Sequence, residues 1–140
     1  MRVLFDTNVV LDVLLDREPF VEASTQLFSK VENGELIGAI CATTVTTIHY
    51  LTSKVLDRKQ AIDNVQRLLR LFDVASVSRL VLQSALNANF SDFEDAVVYA
   101  SAQHANVDAI VTRNTQDFTK TTLPIYTPHE LLKIVEAQQA

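Results

Sequence analysis

The sequence predicts an α/β fold in which a parallel sheet of about five strands lies between two layers of helices. Five short apolar segments alternate along the chain with segments whose apolar residues recur at helical spacing. Glycine and proline are scarce, at 2 and 3 of 140 residues, which argues against a turn-rich all-β fold. Alternating strands and helices are typical of βαβ units, which place helices on both faces of a parallel sheet. We therefore expect a three-layer α/β/α sandwich.

Composition limits the class of protein further. A length of 140 residues fits one domain spanning 1–140. The formal net charge of −5 argues against a basic surface for nucleic acid and suits a site where carboxylates hold a divalent cation. The one cysteine, Cys41, excludes an internal disulfide and is expected in the core. Because the sequence contains neither a signal peptide nor an apolar run of about 20 residues, we expect a cytoplasmic protein without a membrane segment.

The N-terminal half alternates as this fold requires. Val3–Phe5 is predicted as a buried strand, and a helix follows from about Val9 to Leu15. A second helical pattern opens at Pro19 and ends at Asn33-Gly34, because glycine is favoured just past a helix. The next predicted elements are a buried strand over 36–42, a helix capped by Thr43 or Thr44 and reaching Val55, a helix from Lys59 to Leu69, a strand from Phe72 to Val77, and a helix from Ser78 to about Leu86.

The C-terminal half continues the alternation. Ser91 and Glu94 match the Ser-x-x-Glu capping box ahead of a helix that runs to about His104. The other predicted elements are a strand over 108–112, a loop or single helical turn over 113–118, a strand over 124–127, and a final helix that starts at Pro128.

Polar side chains follow the predicted strands. The first strand ends at Asp6, with Asn8 close behind it, and the strand over 108–112 is followed by Asn114 and Asp117. Ligands bind outside the carboxyl ends of the strands in an open parallel sheet. Asp6 or Thr7 could instead only cap the helix that follows, since both residue types are good caps.

One helix adds further acids to this edge of the sheet. Asp92 and Asp95 are three residues apart and can share a helix face. If the strand ends are adjacent, Asp6, Asp95, Asn114 and Asp117 converge on one shallow cleft. An all-oxygen site suits Mg²⁺ or Mn²⁺ better than zinc. Such a metal lowers the pKa of a bound water and neutralises phosphate, so phosphodiester hydrolysis is the natural chemistry.

Several of these charges have structural alternatives. A negative charge at Asp92 is favourable in a first helical turn whatever its function, and Asp117 could cap a turn. Asp12 and Asp16 are one turn apart and are interpreted as a solvated helix face. Arg113 flanks the proposed cleft and could contact phosphate.

Three motifs together resemble those of the PIN-domain nucleases. They are Asp6-Thr7-Asn8 after the first strand, Asp92-Phe93-Glu94-Asp95-Ala96 at the start of a helix, and Ile110-Val111-Thr112-Arg113-Asn114 followed by Asp117-Phe118. None is specific alone, but they occur in order across most of the chain. The resemblance implies a parallel-sheet sandwich and a metal-dependent ribonuclease, often the toxin of a toxin–antitoxin pair. It assigns the acidic roles to Asp6, Asp95 and Asp117, and supporting roles to Asn8, Thr112 and Asn114.

The sequence departs from the family pattern at two positions. The family usually has an acid in the helix after the second strand, and the matching residue here is Thr47; it often has aspartate where this chain has Asn114. Two neutral groups in place of carboxylates should weaken binding of a divalent cation. In our first hypothesis Asn8, Thr47 and Asn114 orient ligands or a metal-bound water.

Three functions follow from these observations. The first is an Mg²⁺- or Mn²⁺-dependent endoribonuclease that cleaves single-stranded RNA. The second is a PIN-fold module that has lost catalysis and binds RNA or a protein, as the neutral Thr47 suggests. The third is a phosphate-binding receiver-like or phosphatase-like domain. This function ranks below the others, because the lysine that such domains carry after the last strand is not evident in this sequence. The resemblance also implies a homodimer and an antitoxin partner. The apolar helices from Phe20 to Leu69 could supply the surface of the dimer.

Overall fold

The structure, a computed structural model, describes residues 1–139. Within that range the strands are Arg2–Phe5, Ile37–Cys41, Asp73–Ala75, Ala109–Val111 and Ile125–Tyr126, here β1 to β5. The helices are Thr7–Leu14, Val21–Glu32, Ala42–Val55, Arg58–Leu71, Arg79–Asn87, Phe93–His104 and Pro128–Gln139, here α1 to α7. A single 3₁₀ turn covers Thr115–Phe118. None of these helices is long and apolar enough to cross a bilayer.

The five strands form one parallel sheet in the order β3-β2-β1-β4-β5. The chain builds one side of the sheet through β2 and β3 and then crosses to the other side at β4. Phe5, the last residue of β1, lies in register with Val111, the last residue of β4. The strand order therefore reverses between β1 and β4, and a crevice is expected at their carboxyl ends.

Helices cover both faces of the sheet, so the predicted three-layer sandwich is confirmed. On β1, Val3 and Phe5 point into a core formed with α1, α2, α3, α4 and α7. The intervening residue, Leu4, points to the opposite core, where α5 and α6 pack. All three side chains are fully buried. Burial on both faces fixes β1 as a rigid support for the residues that follow it.

Gly38 in β2 leaves space for a cluster of three aromatic rings in the core that contains Val3 and Phe5. The rings of Phe5, Phe28 and Phe72 pack edge to face, with centroids 5.0 to 5.9 Å apart. A Cβ atom on Gly38 would lie 2.6 Å from the Phe72 ring.

We expect Gly38→Ala to destabilise the protein by about 2 kcal/mol, because the added methyl displaces Phe72 within a packed core. Urea unfolding of the variant measures this change. An unchanged unfolding midpoint for Gly38→Ala would contradict the prediction.

Most helix boundaries lie within two residues of the sequence predictions. Helix α2 ends as predicted, with Gly34 at a φ of 79°, but it begins at Val21 rather than Pro19. Helix α1 begins at Thr7, two residues before the predicted start, and is capped by Asp6. The predicted cap of α3 by Thr43 or Thr44 is wrong: Cys41 is the N-cap and makes no side-chain capping bond.

The predicted capping box at Ser91 and Glu94 is also wrong. Asp92 is the N-cap of α6, and its Oδ1 accepts the backbone N–H of Asp95 at 3.2 Å. A capping box occurs instead at α7, where Thr127 and Glu130 exchange side-chain-to-backbone hydrogen bonds of 2.8 and 3.2 Å. Because the Asp92 side chain caps α6, the Glu94 side chain is not needed for capping.

Candidate functional site

Asp6 lies at the carboxyl end of β1, with 6% of its surface exposed. Its Oδ1 accepts the backbone N–H of Thr7 at 2.9 Å, which caps α1. Its Oδ2 accepts the Thr112 hydroxyl at 2.8 Å and the Asn8 amide at 3.2 Å. The capping interpretation and the site interpretation are therefore compatible, because one oxygen caps the helix while the other faces β4.

Asn8 connects the end of β1 to the end of β4. Its Nδ2 also donates to the Thr112 hydroxyl at 3.2 Å, and its Oδ1 accepts the backbone N–H of Arg113 at 3.1 Å. Thr112 is fully buried, and its hydroxyl accepts the N–H of Asn114 at 3.1 Å. These bonds hold the two strand ends together and fix the orientation of the Asp6 carboxylate.

A cleft of about 240 Å³ opens above these strand ends. Five of the predicted site residues line it: Asp6, Asn8, Thr47, Asp95 and Asn114. Thr7, Leu11, Arg17, Thr43, Thr44, Glu94 and Val98 complete its wall. The position of this cleft agrees with the crevice expected where the strand order reverses.

The remaining predicted site residues lie around the cleft rather than in its wall. Asp117, in the 3₁₀ turn, lines a neighbouring surface pocket with Lys120. Asp92 caps α6, and Thr112 lies behind Asp6. The guanidinium of Arg113 pairs with Asp12, so the side chain expected to contact phosphate is already engaged.

The interpretation of Asp12 as part of a solvated helix face is wrong. Its side chain is fully buried in α1 and accepts two hydrogen bonds from the Arg113 guanidinium, at 2.6 and 3.2 Å. A buried carboxylate needs a paired cation. The partner lies 101 residues away in the sequence, so the spacing of Asp12 and Asp16 gave no signal of it.

The carboxylates at the cleft repel one another. Burial raises the pKa of Asp95 to about 7, and the neighbouring charges of Asp92, Asp6, Asp117 and Glu94 add to this. The pKa of Asp6 is also raised, again chiefly by burial and against the hydrogen bonds that it accepts. Carboxyl groups with raised pKa values in a cleft are typical of functional sites.

We expect Mn²⁺ affinity to increase about fivefold between pH 6 and pH 7 and by no more than about twofold above pH 7, because the pKa of Asp95 is about 7. A metal binds carboxylate rather than carboxylic acid, so binding below the pKa of Asp95 must release its proton. Calorimetry at pH 6 in buffers of different ionisation enthalpy measures that proton. Asp95→Asn should abolish this proton release. Asp63→Asn, on the exposed surface of α4, should leave it unchanged. Equal proton release by all three proteins would contradict the assignment.

The cleft fits a divalent cation through two carboxylates rather than a closed set of protein ligands. Among residues 1–139, no three His, Cys, Asp or Glu side chains lie close enough together to hold a metal ion. Asp6 and Asp95 can supply two oxygen ligands, and Mg²⁺ usually keeps several waters beside one or two carboxylates. A bound cation would also relieve the mutual repulsion of these acids.

Two charged residues of the cleft were missed from the sequence. Glu94 was assigned to a capping box, but it lines the cleft next to Asp95. Arg17 follows α1 and had no role assigned, yet it also lines the cleft. The Asp-x-x-Asp spacing of Asp92 and Asp95 was the sign in the sequence that Asp92 could cap the helix without Glu94.

The fold and cleft together define an α/β/α protein with an acidic site at the reversal point of a parallel sheet. A family model described as the PIN domain matches residues 2–116. The chain therefore belongs to the PIN-domain family, as its three motifs indicated.

Similar proteins are known from several bacteria. Ribonuclease VapC1 of Aquifex aeolicus is 22% identical over 134 residues, which cover 92% of each chain. A toxin–antitoxin complex from Klebsiella pneumoniae contains a chain of 24% identity and TM-score 0.69, covering 91% of this chain and 98% of that one. DNA-bound VapBC from Salmonella typhimurium has a TM-score of 0.71 at 14% identity, with the same coverage. The structural matches establish a common fold.

Proposed function

We propose that this chain is a metal-dependent endoribonuclease that hydrolyses phosphodiester bonds of single-stranded RNA, and that it is the toxin of a toxin–antitoxin pair. The observation that carries the proposal is the pair of carboxylates, Asp6 and Asp95, at one cleft between β1 and β4. The ribonuclease named among its relatives supports RNA as the substrate. The Klebsiella toxin–antitoxin complex supports an antitoxin as the partner.

The chain's own residues would prepare the site for hydrolysis. Thr112 and Asn8 hold one oxygen of Asp6 in place, which fixes the carboxylate before a substrate binds. Burial and the neighbouring acids raise the pKa of Asp95, so a bound cation would supply the counter-charge that its carboxylate lacks. Mg²⁺ or Mn²⁺ held by Asp6 and Asp95, with Asp117 beside them, would acidify a bound water and offset phosphate charge. Asn114 lies in the wall where it could orient that water.

An RNA cleavage assay tests this function. We expect the wild type to cut a single-stranded RNA in Mn²⁺ or Mg²⁺ and to lose the activity in EDTA. Asp95→Asn should be inactive, while Asp63→Asn, which changes an exposed carboxylate of α4, should retain wild-type activity. Turnover that survives EDTA, or that is equal in both variants, would overturn the proposal.

The alternative function is a PIN-fold module that binds RNA or a protein without cleaving it. The neutral Thr47 in the cleft wall favours this alternative, as does the absence, within residues 1–139, of three clustered metal-ligating side chains. RNA binding without cleavage at any metal concentration would support it.

We expect Thr47→Glu to tighten Mn²⁺ binding on the order of tenfold, because affinity for a hard cation follows the number of charged ligands. Thr47 is half-buried in the cleft wall, so the added carboxylate would enter the site. Thr46→Glu places the same charge on the exposed side of α3 and serves as the control in calorimetry. Equal affinities of the two variants would show that position 47 is not part of the metal site.

We also propose a homodimer. Large apolar side chains are exposed on α3 and α4, namely Tyr50, Val55, Ile62 and Leu69. Burying such side chains in an interface is favourable. Light scattering on the purified chain is expected to give twice the monomer mass, and a monomer at high concentration would contradict the proposal.

A further inference from the structure

One buried carboxylate lies between two arginines beside the cleft. The Asp12 carboxylate, fully buried, accepts two hydrogen bonds from Arg113. The Nε atom of Arg17 lies 3.7 Å from the Oδ1 atom of Asp12, beyond hydrogen-bonding distance. Two guanidinium groups thus share one carboxylate, which leaves one positive charge in excess.

Arg17, rather than Arg113, carries the positive charge that Asp12 does not neutralise. Besides its two bonds to Asp12, Arg113 stacks on Phe20, with its Cζ atom 3.9 Å from the ring centroid. The Nε atom of Arg17 is buried and has no hydrogen-bond partner among the residues described. The Arg17 side chain is 38% exposed and lines the cleft with Asp6 and Asp95.

The backbone fixes Arg17 at this position. Helix α1 ends in a Schellman motif, with Asp16 in the left-handed region at a φ of 52°. The N–H of Asp16 donates to the carbonyl of Val13 at 3.4 Å, and the N–H of Arg17 to the carbonyl of Asp12 at 3.0 Å. Asp12 therefore anchors Arg17 through its main chain and faces it through its side chain.

We infer that Arg17 is the residue that contacts a non-bridging oxygen of the substrate phosphodiester, and that Asp12 is its positioning residue. This inference rests on the proposed function in assigning the substrate. The cleft wall otherwise carries the carboxyl groups of Asp6, Glu94 and Asp95, so an anionic backbone needs a cation there. A guanidinium suits this role because its planar N–H groups match the oxygens of a phosphate.

A purely structural role for Arg17 makes a different prediction. If Arg17 only balanced the acids of the cleft, its removal would alter metal binding and stability but would leave phosphate contacts unchanged. The salt dependence of RNA binding separates the two roles, because each phosphate contact on a single strand adds about 0.7 to the slope of log K against log salt.

The test is fluorescence anisotropy of a labelled oligouridylate in EDTA, where metal-dependent cleavage cannot occur, over a series of KCl concentrations. We expect Arg17→Gln to reduce the slope by about 0.7 and to weaken binding severalfold at each concentration. Arg17→Lys should keep most of the slope, since the charge remains, and it guards against misfolding of the glutamine variant. Arg79→Gln, on the exposed start of α5, should match the wild type.

A double-mutant cycle tests whether Asp12 acts by positioning Arg17. Asp12→Asn should change the slope when Arg17 is present, because Arg17 then loses the carboxylate that it faces, and should have no further effect on the slope in the Arg17→Gln background. An equal effect of Asp12→Asn in both backgrounds would show that Asp12 does not act through Arg17.

The outcomes also separate this inference from the proposed function. Cleavage of RNA by the wild type, with an unchanged slope in Arg17→Gln, would overturn the phosphate contact and leave the nuclease intact. A reduced slope in a protein that never cleaves would support the contact within a binding module. Undetectable or salt-independent binding by the wild type would also overturn the inference.

Discussion

Asp6→Asn is expected to reduce metal-dependent RNA cleavage on the order of 10³-fold, with little change in stability. The substitution removes the charge that faces the cleft but keeps the shape and one acceptor for the Thr7 N–H. Burial raises the pKa of Asp6, so the ionised carboxylate is costly in the folded state, and a neutral amide avoids that cost. This gain offsets the loss of the two hydrogen bonds that Oδ2 accepts from Thr112 and Asn8, and we expect a net change in unfolding free energy below about 1 kcal/mol.

The combination of lost activity and retained stability makes the prediction specific. Initial cleavage rates and urea unfolding are measured on the same preparations, at a pH above 7. Asp63→Asn controls for the loss of one negative charge, because Asp63 is exposed on α4. Full activity in Asp6→Asn would remove the central residue of the proposed site, and unfolding of the variant would show that its role is structural.

The layered fold was predictable because its signals are local. Strands buried on both faces, such as β1 and β2, appear as short apolar runs, and the helices between them show apolar residues at helical spacing. The crevice followed from the same reasoning, since parallel strands end at one edge and Asp6 and Asn114 follow two of them. Only the sheet order, which the structure provides, establishes that β1 and β4 are neighbours.

The misassigned residues were those whose environment depends on distant partners. At the start of α6, both Ser91 and Asp92 suit a cap, and the sequence does not decide between them. The choice of Asp92 determines that Glu94 turns to the cleft. Arg113 was assigned to phosphate because it follows a strand, but a carboxylate 101 residues earlier binds it more directly.

Asp12→Asn is expected to lower the unfolding free energy by about 3 kcal/mol, the largest stability effect that we predict. The loss of charge leaves the Arg113 guanidinium, with 23% of its side chain exposed, and the nearby Arg17 without a counter-ion. This value is at the lower end for a broken buried pair because Arg113 can still reach water. For a chain of this size we expect the melting temperature to fall by about 10 °C.

The matched control for Asp12→Asn is the same substitution one turn later. Asp16 is exposed and adopts a left-handed conformation, which asparagine also tolerates, so Asp16→Asn should leave the melting temperature nearly unchanged. The double variant Asp12→Leu with Arg113→Met removes both charges and fills the space with apolar atoms. Because desolvating an ion pair offsets much of its attraction, we expect this double variant to recover part of the stability. Equal melting temperatures for Asp12→Asn and Asp16→Asn would mean that the buried Asp12–Arg113 pair contributes little to the free energy of unfolding. The Asp12 carboxylate would then hold the neighbouring Arg17 too weakly to position it.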